Sequence, residues 1–130
     1  MASLVFDTTF LIDFQRERNR SPGRAHAFLK SHGNDDAFLP VTAYAEFAEG
    51  FATRTESAFV SMVESFELLP VNRSVADAYA EVVRSLRSSG QLIGTNDLWI
   101  ASAALEKQWP LVTRNLQDFS RVPGLQCLGY

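Results

Sequence analysis

The chain has 130 residues, 46% of them hydrophobic and 21% charged, with a formal net charge of -3. That length suits one domain over 1–130 with a core that needs no staples, and the single cysteine, Cys127, excludes an internal disulfide and suits a reducing cytoplasm. The acidic balance argues against broad non-specific nucleic-acid binding; no apolar run reaches the roughly 20 residues of a membrane helix, and no basic region precedes the first apolar run as it would in a secretory signal.

Leu4 to Phe6 reads as a buried strand that stops abruptly at Asp7 and the hydroxyls of Thr8 and Thr9. Phe10, Leu11, Ile12 and Phe14 follow at helical spacing, so a first helix is expected from about Thr9 to Gln15. It dissolves into a polar loop carrying Arg16, Arg18 and Arg20 and closed by Pro22-Gly23. Pro22 suits the first turn of a second helix with Ala25, Phe28 and Leu29 on one face. Ala37 to Val41 is the next strand, with Pro40 marking an edge or a terminus. Thr42 is expected to cap a helix bearing Tyr44, Phe47 and Phe51, with Glu46 one turn in.

A fourth helix is expected from about Glu56 to Phe66, then a short strand at Leu68 to Val71. Ser74 opens a helix whose Val75, Ala78, Tyr79, Val82 and Leu86 share a face. Thr95-Asn96-Asp97 is a cap signal before a small, nearly all-apolar helix that should pack centrally. Pro110 to Thr113 is the last clear parallel strand, and Leu125 to Leu128 is a candidate edge strand. Strands alternating with helices predict an α/β/α sandwich with a mainly parallel sheet.

Four acids occupy equivalent places. Asp7 and Asp118 follow strands, Asp97 opens a helix, and Glu46 lies one helical turn beyond the second strand. Right-handed crossovers bring such loops to one end of the sheet, where open α/β sheets bind their ligands. Two unit charges about 4 Å apart repel by roughly 1 kcal/mol in water and roughly 4 kcal/mol at an effective dielectric near 20. Convergence therefore demands protonation or a cation, and an oxygen-only ligand set of Asp7, Glu46 and Asp97 selects Mg²⁺ or Mn²⁺. Such an ion can lower the pKa of a bound water and stabilise charge on a phosphate in transfer. A structural reading stands beside this one: Asp7 and Asp97 as helix caps, each worth about 1 kcal/mol, with Glu46 and Asp118 as solvated acids. Thr8, Thr95 and Asn96 fit either orienting metal-bound water or capping.

The blocks Phe6-Asp7-Thr8-Thr9-Phe10-Leu11-Ile12-Asp13, Thr42-Ala43-Tyr44-Ala45-Glu46 and Ile93 to Ala101 resemble the signatures of PIN domains. Leu111 to Phe119, followed by Val122-Pro123-Gly124-Leu125, extends the likeness over nearly the whole chain. More narrowly, the chain resembles the VapC-type toxins of prokaryotic toxin–antitoxin pairs. The resemblance implies an Mg²⁺- or Mn²⁺-dependent endoribonuclease acting on RNA in the cytoplasm. It also implies a homodimer, and a cognate antitoxin covering the acidic cleft. Asp7, Glu46 and Asp97 match the acids of the family. Many members carry an acid where this chain has Asn115, which offers only a neutral oxygen; Asp118, three residues on, can supply the missing charge.

Arg16, Arg18 and Arg20, with Arg24, suit guidance of RNA phosphate or simply a solvated face. His26 and His32 lack the partners of a zinc site, while Cys127, Trp99 and Trp109 read as packing residues. The phenylalanines Phe10, Phe14, Phe47, Phe51, Phe59 and Phe66 are more than one small core need bury, so an exposed remainder is expected to mark an interface. A receiver or phosphoaspartyl phosphatase would want a second acid beside Asp7 and a lysine after a late strand; Thr8, Thr9 and Arg114 stand there instead. The remaining alternative is a PIN fold kept as a catalytically weak module binding RNA or antitoxin.

Overall fold

The structure is a computed structural model describing residues 1–130. The apolar run at the start becomes β1 (Ser3–Phe6), followed by α1 (Thr8–Arg18), α2 (Arg24–Ser31), β2 (Asp36–Pro40), α3 (Val41–Ala48) and α4 (Ser57–Val63). The second half adds β3 (Glu67–Leu69), α5 (Arg73–Ser88), α6 (Thr95–Lys107), β4 (Leu111–Val112), α7 (Leu116–Phe119) and β5 (Cys127–Leu128). All five strands are parallel, in the order β3-β2-β1-β4-β5. Pro40 closes an inner strand rather than occupying an edge, and β5 is the expected edge strand.

Every residue of Leu4-Val5-Phe6 is buried, because both faces of β1 are covered. Leu4 and Phe6 pack with Phe10, Ala25 and Val112 beneath α1 and α2. Val5 enters the larger core with Leu39, Leu111 and the apolar face of α6, supplied by Ile100, Ala101 and Ala104. The small side chains of α6 place it centrally, against α5, where Tyr79 stacks on Trp99 at 3.8 Å. The result is an α/β/α sandwich around a five-stranded parallel sheet.

Several boundaries differ from the sequence expectation, each for a local reason. α1 runs on to Arg18, since Gln15, Arg16, Glu17 and Arg18 are good helix formers and the two arginines complement its C-terminal dipole. Arg16 and Arg18 are thus helical, not loop residues. Pro22 precedes α2, which starts at Arg24. α3 starts at Val41, so Thr42 lies inside it and caps nothing; its Oγ1 is buried without a partner. The α5 cap is Asn72, whose side chain accepts from Val75 N at 3.0 Å, not Ser74. The fourth helix is shorter at both ends than expected.

The phenylalanines are not left over for an interface. Phe10, Phe47 and Phe59 are fully buried, while Phe14, Phe51 and Phe66 pack against the core. Rings meet rings edge-on or tilted: Phe51 meets Phe47 at 5.1 Å and Phe59 at 5.3 Å, and Phe66 meets Phe6 at 5.3 Å. Such pairs add about 0.5–1.5 kcal/mol beyond area burial, which favours drawing all of them inward. The exposed large apolar residues are instead Met1, Val60, Leu68, Val71, Leu92 and Leu116.

The sheet order fixes where the polar groups collect. The chain proceeds outward from β1 through β2 to β3, then returns to the other flank of β1 as β4. The carboxyl ends of β1 and β4 therefore border the switch point of the sheet, the crevice favoured for ligands in this architecture.

Candidate active site

Asp7 leaves β1 at that crevice. It caps α1, its Oδ1 accepting from Phe10 N at 2.9 Å, while its Oδ2 accepts from Thr113 Oγ1 at 2.6 Å. Thr113 is fully buried at the end of β4, and its Oγ1 in turn accepts from Asn115 N at 2.9 Å. Two strand ends are thus joined through one carboxylate. Burial pushes the Asp7 carboxyl up to about 6, against the pull of the Thr113 and Phe10 hydrogen bonds, and the charges of Asp97 and Asp13 push the same way.

Glu46 reaches the crevice from α3. Its Oε1 accepts from the Thr8 hydroxyl and its Oε2 from Asn96 Nδ2 at 3.1 Å, so α1, α3 and α6 are tied together there. Asp97 lies in the first turn of α6 but is not its cap; Gly94 holds that position. Burial raises the Asp97 carboxyl, and the charges of Glu46 and Asp118 raise it further, with no hydrogen bond or cation to offset them. Asp118, in α7, accepts from Asn115 Nδ2 at 3.2 Å and lies 3.7 Å from Arg121 Nη2. Asp7, Glu46 and Asp118 therefore all act on Asp97, which alone lacks a donor of its own.

The donor set is all oxygen and short of positive charge, the chemistry a hard divalent ion matches. No group of three or more Asp, Glu, His or Cys side chains is arranged to hold an ion by itself. An ion here would keep several waters, as Mg²⁺ does. The residues fit such an ion on those terms.

Other candidates scatter. Arg16 lines a hollow beside the crevice, Arg18 Nη1 donates to Ser61 Oγ at 3.1 Å on α4, and Arg20 is exposed beyond α1. His26 and His32 pair with Glu17 and Asp35 at 2.8 and 2.9 Å and stack on Phe14 and Phe28. Trp109 packs on Phe38 in a tilted pair at 4.4 Å, and Cys127 packs against the larger core. Sequence reasoning passed over Thr113 as a partner of Asp7. Its one signal was a hydroxyl at the end of an apolar strand, the same grammar that marked Asp7.

The family model for the PIN domain matches residues 4–125. Ribonuclease VapC1 of Haemophilus influenzae is 32% identical over 127 residues, covering 94% of this chain and 93% of the relative. Ribonuclease VapC1 of Methanocaldococcus jannaschii is 28% identical over 122 residues, covering 93% and 82%. The crystal structure of Rickettsia felis VapBC2, bound to a DNA fragment from its promoter, superposes with a TM-score of 0.82 over 98% of both chains; at 23% identity that likeness is one of fold. On the matched signature, the identity to VapC1 over nearly full length and the shared fold, the chain belongs to the PIN-domain family, in its VapC branch.

Proposed function

We propose that this protein is a cytoplasmic, Mg²⁺- or Mn²⁺-dependent endoribonuclease, the toxin of a type II toxin–antitoxin pair, which hydrolyses RNA phosphodiesters and is restrained by a cognate antitoxin. The observation that carries the reading is the Asp97 carboxylate, without a donor and facing the charges of Asp7, Glu46 and Asp118. A structural cap would be satisfied by backbone amides; Asp97 is not. Relatives named as ribonucleases, and solved neighbours that are two-component VapBC complexes, support the activity and the partner. No helix is long and apolar enough to cross a membrane.

Asp7, Glu46 and Asp97 would hold the ion in part through its bound waters, since no three of the acids close on one point, with Asp118 at the rim. The bound ion would supply Lewis acidity toward the phosphate and a lowered pKa for its water. The chain's own residues do the rest. Thr8 and Asn96 orient the two Glu46 oxygens, and Thr113 fixes Asp7. Asn115 holds Asp118 while offering no charge itself. By family likeness the protein pairs as a homodimer.

The test is cleavage of total RNA by the wild type and by Asp7→Asn, with Mg²⁺, with Mn²⁺ and with EDTA. Cleavage is expected only with metal and only for the wild type. Cleavage persisting in EDTA overturns the metal reading.

A further inference from the structure

Beside the acid crevice lies a hollow of about 290 Å³ lined by Asp13, Arg16, Glu17, Arg24, Arg114 and Tyr130. Three guanidiniums from three elements face it: Arg16 from the last turn of α1, Arg24 from the first turn of α2, and Arg114 from just beyond β4. Its two acids are already engaged. Glu17 accepts from Gly23 N, Ala25 N, His26 N and His26 Nδ1 at 2.7–2.9 Å. Asp13 Oδ2 accepts from the Tyr130 hydroxyl at 2.7 Å and lies 3.6 Å from Arg114 Nε. The ion pairs of the chain use His26, His32, Arg114 and Arg121, so Arg16 and Arg24 have no carboxylate partner. Two unpaired guanidiniums beside a third, in a chain of net charge -3, make a local anion site with planar donors suited to phosphate oxygens.

The hollow shares a wall with the crevice. Arg114 directly follows Thr113, whose hydroxyl binds Asp7. The Tyr130 ring packs on Phe10 at 4.8 Å, and the Phe10 amide binds the other Asp7 oxygen. A nucleic-acid strand with one phosphate at the acids must run its backbone along one wall of the crevice, and this wall is basic. We propose that the hollow formed by Arg16, Arg24 and Arg114 is a phosphate subsite gripping the RNA backbone next to the position of cleavage. This rests on the nuclease reading above; of the arginines singled out in the sequence it keeps Arg16 and Arg24, leaves out Arg18 and Arg20, and adds Arg114.

The test uses the full chain and a fluorescein-labelled 12-nucleotide oligouridylate. Binding is read in EDTA by anisotropy across a salt series, comparing the wild type, Arg16→Gln/Arg24→Gln, and Arg84→Gln/Arg87→Gln on exposed positions of α5. The first variant is expected to bind about tenfold more weakly, with the slope of log K against log salt shallower by roughly 1.4, as losing two single-strand phosphate contacts requires. In Mn²⁺ the loss of cleavage should fall on KM more than on kcat. The α5 variant should match the wild type. Equal affinity and slope for the wild type and the Arg16/Arg24 variant overturn the proposal, as does an equal loss in the α5 variant. Retained RNA affinity with lost affinity for an oligoglutamate peptide also overturns it, and assigns the hollow to an acidic protein segment. If the wild type cleaves nothing in either metal while the arginine pair still sets RNA affinity and slope, the subsite stands and the nuclease reading falls.

Discussion

Asp7 and Glu17 stand at opposite ends of α1, and each accepts a backbone amide at the start of a helix, Asp7 for α1 and Glu17 for α2. Their electrostatics are opposite. Desolvation acts upward on both, but for Glu17 the amides of His26 and Ala25, the His26 ring and the Gly23 amide overcome it and hold the carboxyl down to about 2. Asp7 has two donors, deeper burial and two like charges nearby, and stands at about 6. The same residue chemistry is a satisfied structural joint in one corner and a buried, repelled carboxyl in the other. What separates them is the supply of donors and the sign of the neighbours, not the capping role they share. The corner that the protein leaves short of positive charge is the one to which the nuclease reading assigns a cation.

The sharpest way to break that comparison is to remove the unpaired charge itself. Asp97→Asn should lower RNA cleavage in Mg²⁺ or Mn²⁺ by about 10³-fold, the scale of several kcal/mol of lost transition-state stabilisation. It should not lower the melting temperature of the metal-free protein, because a desolvated carboxylate repelled by Glu46 and Asp118 is gone. A variant as fast as the wild type would defeat the metal mechanism.

Next in size is the pH response of the metal-free protein. The folded state raises the Asp7 carboxyl from its ordinary 3.8 to about 6, so it prefers the protonated form. That stabilisation is complete below about pH 4 and is lost as pH rises through about 6, a change of roughly 3 kcal/mol. Denaturant titrations at pH 4 to 8 should show the wild type losing stability relative to Asp7→Asn over this window. The full gain will not appear at pH 7, since the amide has one oxygen to accept from both Phe10 N and Thr113 Oγ1, where the carboxylate has two. A divalent ion should restore the wild type but not the variant. A difference that is flat with pH would sink this account of Asp7.

Glu17 should behave in the opposite sense. Its stabilisation is present above the ordinary 4.5 and is lost as pH falls toward about 2. Glu17→Gln leaves one oxygen to serve donors now shared by two, and should cost about 1–2 kcal/mol at pH 7. At saturating RNA, kcat per folded molecule should change little, because Glu17 lines the arginine hollow and not the acid crevice. A stable Glu17→Gln protein would show that the corner between α1 and α2 is held by Phe14, Phe28 and their stacked histidines instead.

Much of the fold was legible because its strongest signals are local. Leu4 to Phe6 is an unbroken apolar run, and only a strand covered on both faces can bury all of it. The small residues of α6 announced a helix in the centre. The acids at strand ends and helix starts could be picked out one by one. What could not be read were contacts closed by the tertiary fold. Thr113 meets Asp7 across 106 residues, and nothing local to Thr113 names its partner. Glu17 accepts from the His26 amide nine residues downstream, at the start of α2, which also explains why α1 had to continue past Gln15 to present it. Arg114 and Arg24 join Arg16 at one hollow only because β4 returns beside β1.

The smallest expected effect tests how far the comparison extends along the crevice. Asp118 is the acid best supplied after Asp7 and Glu46, accepting from Asn115 and lying near Arg121. Its charge still bears on Asp97, so removing it should loosen metal binding without abolishing it. Asp118→Asn is expected to cost less than about tenfold in cleavage at saturating Mg²⁺, or about 1 kcal/mol, and more when the metal is limiting. Asn115 already places a neutral amide at this rim, which argues that the site tolerates another. Restoring an acid with Asn115→Asp should raise metal affinity for the same electrostatic reason, since a new carboxylate would face the crevice without the amide donor that now steadies Asp118. Metal titrations of cleavage by the two variants should therefore shift in opposite directions, and shifts in the same direction would place Asp118 outside the metal's electrostatic reach.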